Sequence, residues 1–129
     1  MQTLTIATRS RAEMIDITDK VAEAVRQENV ADGIALVFVP HTTAAVTINE
    51  NADPDVVRDI IQETDKIVPL EDGYRHSEGN SAAHIKSCLF GPSVTLVVKG
   101  GRPMLGTWQA VYFCEFDGPR RRTVYVTAR

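Results

Sequence analysis

The sequence predicts an α+β fold, a largely antiparallel, sandwich-like β-sheet carrying about three helices. Three observations lead there: strand patterns pair as hairpins at both ends of the chain, helical patterns cluster in the middle, and strict βαβ alternation is absent. At 129 residues, 43% hydrophobic and 24% charged, the chain can bury one core and has no length for a second. A single domain over residues 1–129 is expected.

Gln2 to Thr8 alternates polar and apolar residues like a half-buried strand, and Met14 to Thr18 gives a second strand after a turn at Arg9-Ser10-Arg11. Thr18 or Asp19 can cap a helix running to about Asn29, with Val21, Ala22, Ala24 and Val25 inward and Gly33 beyond its end. Ile34 to Val39 has no polar interruption, which predicts a strand buried on both faces. Ala45 to Asn49 is again strand-like. Asp53 before Pro54 starts a helix from Asp55 to Lys66, in which Val56, Val57, Ile60 and Ile61 fall at helical spacing. Gly79 permits a tight turn, Asn80 is a good N-cap, and Ser81 to Phe90 forms the third helix, ended by Gly91-Pro92. Ser93 to Val98 is a strand, Gly100 to Pro103 a reversal, and Thr107 to Phe116 a longer strand with polar residues at Thr107, Gln109 and Glu115. Asp117-Gly118-Pro119 turns the chain into a closing strand from Arg122 to Thr127. The total is about seven strands, and Trp108 reads as core.

Net charge is −3 with a pI near 5.6, which disfavours nucleic acid and anionic membrane surfaces as partners. No apolar run reaches membrane-spanning length, and the first residues alternate like a strand rather than a signal peptide, so a cytoplasmic location is expected. Cys88 and Cys114 lack metal-type spacing and read as buried thiols.

Chemistry must come from few groups. His41 follows the apolar strand, His76 lies on a loop and His84 in a helix; three imidazoles can hold a divalent ion, zinc or magnesium, and leave a position open. Alternatively, each is an ordinary half-buried histidine satisfied by backbone. On one continuous helix His76 and His84 would stand about 12 Å apart, too far for an ion with bonds of about 2 Å. The chain must therefore reverse near Gly79 and Asn80. The helix start offers backbone N–H groups to an anion such as phosphate. Glu50 and Glu78, each beside an amide in Asn49 and Asn80, are candidate general acids or bases, or orienting partners for an imidazole. Arg120-Arg121-Arg122 is the one basic cluster; its forks suit phosphate oxygens, though a charged hairpin tip is the commoner fate. Walker, dinucleotide and Gly-x-Ser-x-Gly patterns are absent.

His41-Thr42-Thr43-Ala44, Asn49-Glu50, His76 with Glu78-Gly79-Asn80 and Ala83-His84, Gly91-Pro92-Ser93, Leu105 to Gln109 and Glu115 to Arg120 together resemble the YjbQ family, named for a secondary thiamine-phosphate synthase activity. The resemblance covers nearly the whole chain from about Ile15. It implies a small cytoplasmic homotrimer with a pocket near the subunit boundary. It also implies weak joining of hydroxymethylpyrimidine diphosphate to thiazole phosphate with release of pyrophosphate. On that basis Asn49, Glu50, Glu78 and Asn80 are the catalytic candidates. Thr42, Thr43, Gln109, Arg120 and Arg122 would contact small phosphorylated substrates, and His41, His76 and His84 would hold the metal. Two other readings remain open: a metal-dependent hydrolase of a small phosphorylated metabolite, and a non-catalytic metabolite- or metal-binding protein.

Overall fold

The structure, a computed structural model, describes all of residues 1–129. Its elements run β1 (Gln2–Ala7), β2 (Glu13–Asp16), α1 (Thr18–Gln27), β3 (Asp32–Phe38), β4 (Ala44–Glu50), α2 (Pro54–Ile67), α3 (Ser81–Phe90), β5 (Ser93–Lys99), β6 (Arg102–Pro103), β7 (Gln109–Glu115) and β8 (Arg121–Ala128). A five-stranded sheet has the order β1-β8-β3-β5-β6, and a three-stranded sheet the order β2-β7-β4. Every pairing is antiparallel, so the expected α+β class holds, with β6 as a short additional strand. No helix is long and apolar enough to cross a membrane.

The two sheets face each other across the main core. Ile6, Val37, Leu96, Val98, Val124 and Val126 come from the larger sheet, Val46, Val111 and Phe113 from the smaller, and Val21 and Val25 of α1 close one side. The opposite face of the smaller sheet carries a second cluster, in which Ala45, Ala110, Tyr112 and Cys114 pack against Ala83 of α3 and Val57 of α2. β7 is thus covered on both sides, which is why its residues from Ala110 to Glu115 are all buried. The double burial expected for β3 is not found: Ala35 and Val37 point inward, while Ile34, Leu36 and Phe38 are 56, 38 and 39% exposed. An uninterrupted apolar run does not distinguish a strand with two protein-covered faces from one with an apolar outer face.

Other local expectations also change. Asp53 caps α2 by accepting the Asp55 N–H at 2.9 Å, but at α1 the cap residue is Ile17, and Asp16 instead accepts from the N–H and hydroxyl of Thr18. Asn29, at φ 57°, is the left-handed residue after α1, whereas Gly33 is inside β3, where any Cβ would meet the Arg129 carbonyl. Trp108 precedes β7 and is 62% exposed rather than core. Cys88 is exposed and Cys114 buried, both as free thiols; burial pushes the Cys114 thiol up to about 12.

A charged pair joins the two sheets. Arg122 of β8 and Glu115 of β7 are 3 and 0% exposed, so Arg122 is not on the charged hairpin tip its sequence context predicts. Arg122 Nε donates to Glu115 Oε1 at 2.9 Å, and Nη2 donates to Glu115 Oε2 and to Thr43 Oγ1. Glu115 also accepts from the Thr8 hydroxyl at 2.8 Å and from the N–H groups of Phe116 and Asp117. Burial pushes its carboxyl up, but the hydrogen bonds from Arg122, Thr8 and Asp117 outweigh that and keep it below the usual glutamate value. Gly118 is required beside the pair, because a Cβ there would clash with the Ser10 carbonyl and the Glu115 side chain. Removing one partner leaves a buried charge unpaired, which typically costs about 3–5 kcal/mol. Urea denaturation of Arg122→Met is expected to show a loss of that size, with much of it recovered in Arg122→Met/Glu115→Leu. A double variant no more stable than the single one would contradict the pairing account.

Candidate functional site

The start of α3 assembles two of the three histidines. Gly79 adopts φ +75°, a conformation that costs residues with a Cβ more, and its N–H reaches the His76 carbonyl at 3.5 Å. The reversal stands the His76 ring edge-on to the His84 ring, with centroids 5.5 Å apart and an interplanar angle of 89°. Glu78 Oε2 lies 3.8 Å from His76 Nε2. Both imidazoles line an open cleft of about 410 Å³ together with Tyr74, Arg75, Ser81 and Ile85. The Tyr74 hydroxyl donates to the Pro69 carbonyl at 2.6 Å, which fixes the loop leading into the cleft.

Small residues allow α3 to seat on the sheet. Ala82 and Ala83 are buried, and the Ser87 hydroxyl donates to the Ala44 carbonyl at 2.7 Å. Asn80 occupies the cap position but makes no side-chain cap. Its Nδ2 donates instead to Asp117 Oδ2 at 2.9 Å, and Arg120 Nη2 donates to the same oxygen at 3.1 Å. The buried Asn80 Oδ1 has no hydrogen-bond partner. Asp117, read from the sequence only as a turn residue, therefore links the imidazole cleft to the last hairpin. Only the long-range closeness of Asn80 to the β7–β8 turn reveals this, and no local pattern encodes it.

His41 lies in a different cleft, of about 520 Å³, with Thr42, Thr43, Pro92, Arg120 and Arg122 on its lining. The Thr123 backbone N–H donates to His41 Nε2 at 2.9 Å, which assigns the remaining proton of the neutral ring to Nδ1. Burial lowers the His41 pKa, and the Arg122 charge lowers it further against a smaller pull from Glu115. With Nε2 accepting from Thr123, that nitrogen of His41 is not free to take a metal ion. No group of three His, Cys, Asp or Glu side chains within the chain converges as a metal cage, so the three histidines do not come together within this chain.

Several expected substrate contacts are occupied by the fold. Thr43 is buried and receives Arg122, which is itself paired with Glu115. Arg120 donates to Asp117 through both Nε and Nη2. Gln109 Oε1 accepts the Gly106 N–H at 2.8 Å and closes the turn before β7. Thr42 is the exposed hydroxyl in the His41 cleft. Asn49 Oδ1 accepts the Glu50 N–H, and the Glu50 carbonyl accepts the Tyr112 hydroxyl at 2.9 Å. Six strand steps separate Ala44 from Glu50, about 20 Å at the usual rise. Asn49 and Glu50 are thus at the end of β4 remote from His41, and one chain does not bring the two motifs together.

His41 gives a pH signature. Its folded pKa is below the ordinary 6.5, so the unfolded chain takes up the proton first as pH falls. The stability from the neutral ring is complete above about pH 6.5 and is lost progressively down to the folded pKa. The melting temperature of the wild type is expected to fall across that interval, and His41→Gln, which keeps an acceptor for Thr123, is expected to flatten the fall. An unchanged slope in the variant would show that other groups set it.

Comparisons with known proteins cover the chain nearly end to end. The family model described as UPF0047 protein YjbQ-like matches residues 2–129. A UPF0047 protein of Methanocaldococcus jannaschii is 54% identical over 94% of this chain and 88% of its own length. The UPF0047 protein YugU of Bacillus subtilis is 52% identical over 98 and 96%. A crystal structure of an uncharacterized YjbQ/UPF0047 protein from Clostridium acetobutylicum superposes with a TM-score of 0.97 at 50% identity, covering both chains fully. A YbjQ-like protein of unknown function from Sulfolobus solfataricus gives 0.94 at 30% identity, over 98% of this chain and 94% of that one. These proteins are described only by family or as of unknown function, and none of their names carries a thiamine-phosphate synthase activity. That overturns the transferase assignment implied by the resemblance. The resemblance itself stands on sequence and fold together: the chain belongs to the YjbQ-like UPF0047 family.

Proposed function

We propose that the protein is a metal-binding protein whose divalent ion, best suited to zinc, is held by His76 and His84. One observation carries the reading: the 5.5 Å separation of their ring centroids. Two imidazoles on a tetrahedral ion, with bonds of about 2 Å, place their ring centres about 5 Å apart. Glu78 beside His76 is the type of carboxylate that orients a ligating imidazole. The orphaned Asn80 Oδ1 adds an unused oxygen next to the helix start. When bound, such an ion supplies Lewis acidity and activates water. Glu78, as a base beside it, favours hydrolysis of a small phosphorylated metabolite as a second reading.

The remaining protein donor is proposed to come from a neighbouring copy in a homotrimer. Ile34, Leu36, Phe38 and Val97 share the outer face of the larger sheet, an apolar row that soluble monomers rarely leave open. The free thiols of Cys88 and Cys114 suit the reducing cytoplasm.

Zinc titration of untagged protein is expected to show saturable binding. His76→Ala and His84→Ala should each weaken it by about tenfold or more, whereas His41→Ala should leave it within about twofold. Equal losses in all three variants would restore the three-histidine set and remove the present assignment. Sedimentation velocity is expected to give a trimer, and Leu36→Lys/Val97→Lys a monomer with weaker zinc binding. A wild-type monomer that still binds zinc would remove the shared donor. Turnover of a phosphorylated ligand that disappears in Glu78→Gln would move the protein to the hydrolase reading.

A further inference from the structure

The strongest unclaimed feature is the free edge of β1. It is the outermost strand of the five-stranded sheet and pairs only with β8. The Thr8 N–H donates to the Arg120 carbonyl at 3.0 Å, which sets the phase of the ladder: Gln2, Leu4 and Ile6 bond β8, while Thr3, Thr5 and Ala7 turn their N–H and C=O groups away from it. Sheet edges are commonly blunted by brevity, charge, proline or a covering element. β6 has two residues and includes Pro103, and β2 is four residues long with Glu13 and Asp16 at its ends. β4 is tied at Ala44 to Ser87 of α3 and at Val46 to Gly91, which ends that helix. β1 carries no charged residue and no proline over Gln2–Ala7.

Two clefts lie end to end along this edge. One, of about 410 Å³, runs beside Gln2, Thr3 and Leu4 and is walled by Lys20, Ala24 and Gln27 of α1. The other, of about 540 Å³, continues beside Thr5 to Arg9 and reaches Ile15 of β2, with Lys20 common to both. Its lining takes in Ile6 from the core face of β1 as well as Thr5 and Ala7 from the exposed face, so it opens on the edge of the strand and not on one side of it. Charge changes along the groove. Arg9, Lys20, Arg120 and Arg121 line the Ala7 end without a carboxylate. Arg120 is partly satisfied by Asp117, but Arg9, Lys20 and Arg121 form no ion pair. The Gln2 end instead holds Asp19 and Glu23.

We infer that this edge binds an extended peptide, added antiparallel to β1 as a further strand, with acidic residues at its N-terminal end. Thr3, Thr5 and Ala7 offer donors and acceptors to the peptide's main chain over the length of β1, about 20 Å. Ile6 and Ile15 give its alternate side chains an apolar surface. Charge complementarity selects the occupant and its direction. An antiparallel strand begins at the Ala7 end, so carboxylates early in the peptide meet Arg9, Lys20 and Arg121, whereas the reverse arrangement sets them against Asp19 and Glu23. The surface is independent of the imidazole cleft: it uses other residues and needs no metal.

The probe is a fluorescein-labelled peptide of about eight residues, a pair of aspartates followed by alternating threonine and valine, measured by anisotropy with the full chain at low salt. Saturable binding is expected. Lysines in place of the aspartates, or N-methylation along the threonine-valine run, should each weaken it by about tenfold or more. Thr5→Pro removes a donor from the open side without touching the β8 ladder and should cost about tenfold. Arg9→Gln/Arg121→Gln changes two exposed side chains and should cost about fivefold or more at an unchanged melting temperature, whether or not the proline variant folds. His84→Ala should bind the peptide as the wild type does, which separates this surface from the proposed metal site. The inference is overturned if the wild type does not bind at millimolar peptide, or if the N-methylated peptide or the arginine double variant binds unchanged. It is equally overturned if Thr5→Pro lowers the mass of the protein's own assembly in sedimentation, since a second copy would then hold the edge, or if single-stranded RNA displaces the probe at lower concentration than unlabelled peptide does.

Discussion

The Arg122–Glu115 pair is the constraint on which the rest of the structure depends. It sits between the two sheets, where each charge alone would be costly to bury. The fold satisfies it from several sides: Thr8 follows β1, Thr43 precedes β4, and the amides of Phe116 and Asp117 belong to the turn after β7. Distant segments are therefore fixed relative to one another by a single set of hydrogen bonds. The same pair reaches the surface through His41, whose neutral form is favoured by burial and by the Arg122 charge.

This commitment of charge also separates the arginines by what they can do. Three consecutive arginines look alike in sequence, yet strand alternation sends Arg122 inward and Arg121 outward, while Arg120 closes the turn on Asp117. A guanidinium that already satisfies a buried carboxylate cannot leave it for a ligand without exposing that carboxylate to the same desolvation penalty. Around these clefts the cations without an ion pair are accordingly Arg121, Arg9 and Lys20, on the other cleft that Arg120 lines, whereas Arg122 in the cleft with His41 and Thr43 is committed to Glu115.

Local chemistry was legible in the sequence. Asp53-Pro54 marked the start of α2, Gly79 marked the reversal that joins His76 to His84, and Gly91-Pro92 marked the end of α3. What failed depended on tertiary partners. The apolar run of β3 could not reveal that one of its faces lies open, and β7 was buried on both faces despite the polar residues written into it. Glu115 read only as one of the polar positions of its strand, because its partner is in another strand. Asn49-Glu50 and His41 are close in the chain, but an extended strand places its ends far apart, and periodicity does not report that distance.

The imidazole cleft is carried by the less firmly anchored part of the molecule. α2 has no fully buried residue, although Val57 reaches the second core cluster. Its polar anchor is Asp65, which accepts from the almost fully buried Lys86 of α3 and from Arg11 of the β1–β2 turn. Lys86 also lies over the Phe116 ring, 5.9 Å from its centroid, so its ammonium is neutralised on one side and faces an aromatic surface on another. Regions with few buried apolar contacts open locally at lower cost than the core. His84 belongs to the well-seated helix α3, whereas His76 belongs to the loop between α2 and α3, so their alignment joins a firm element to a softer one. A group that binds both imidazoles would favour the closed arrangement by mass action, coupling occupancy of the cleft to the order of the segment from Val68 to Asn80.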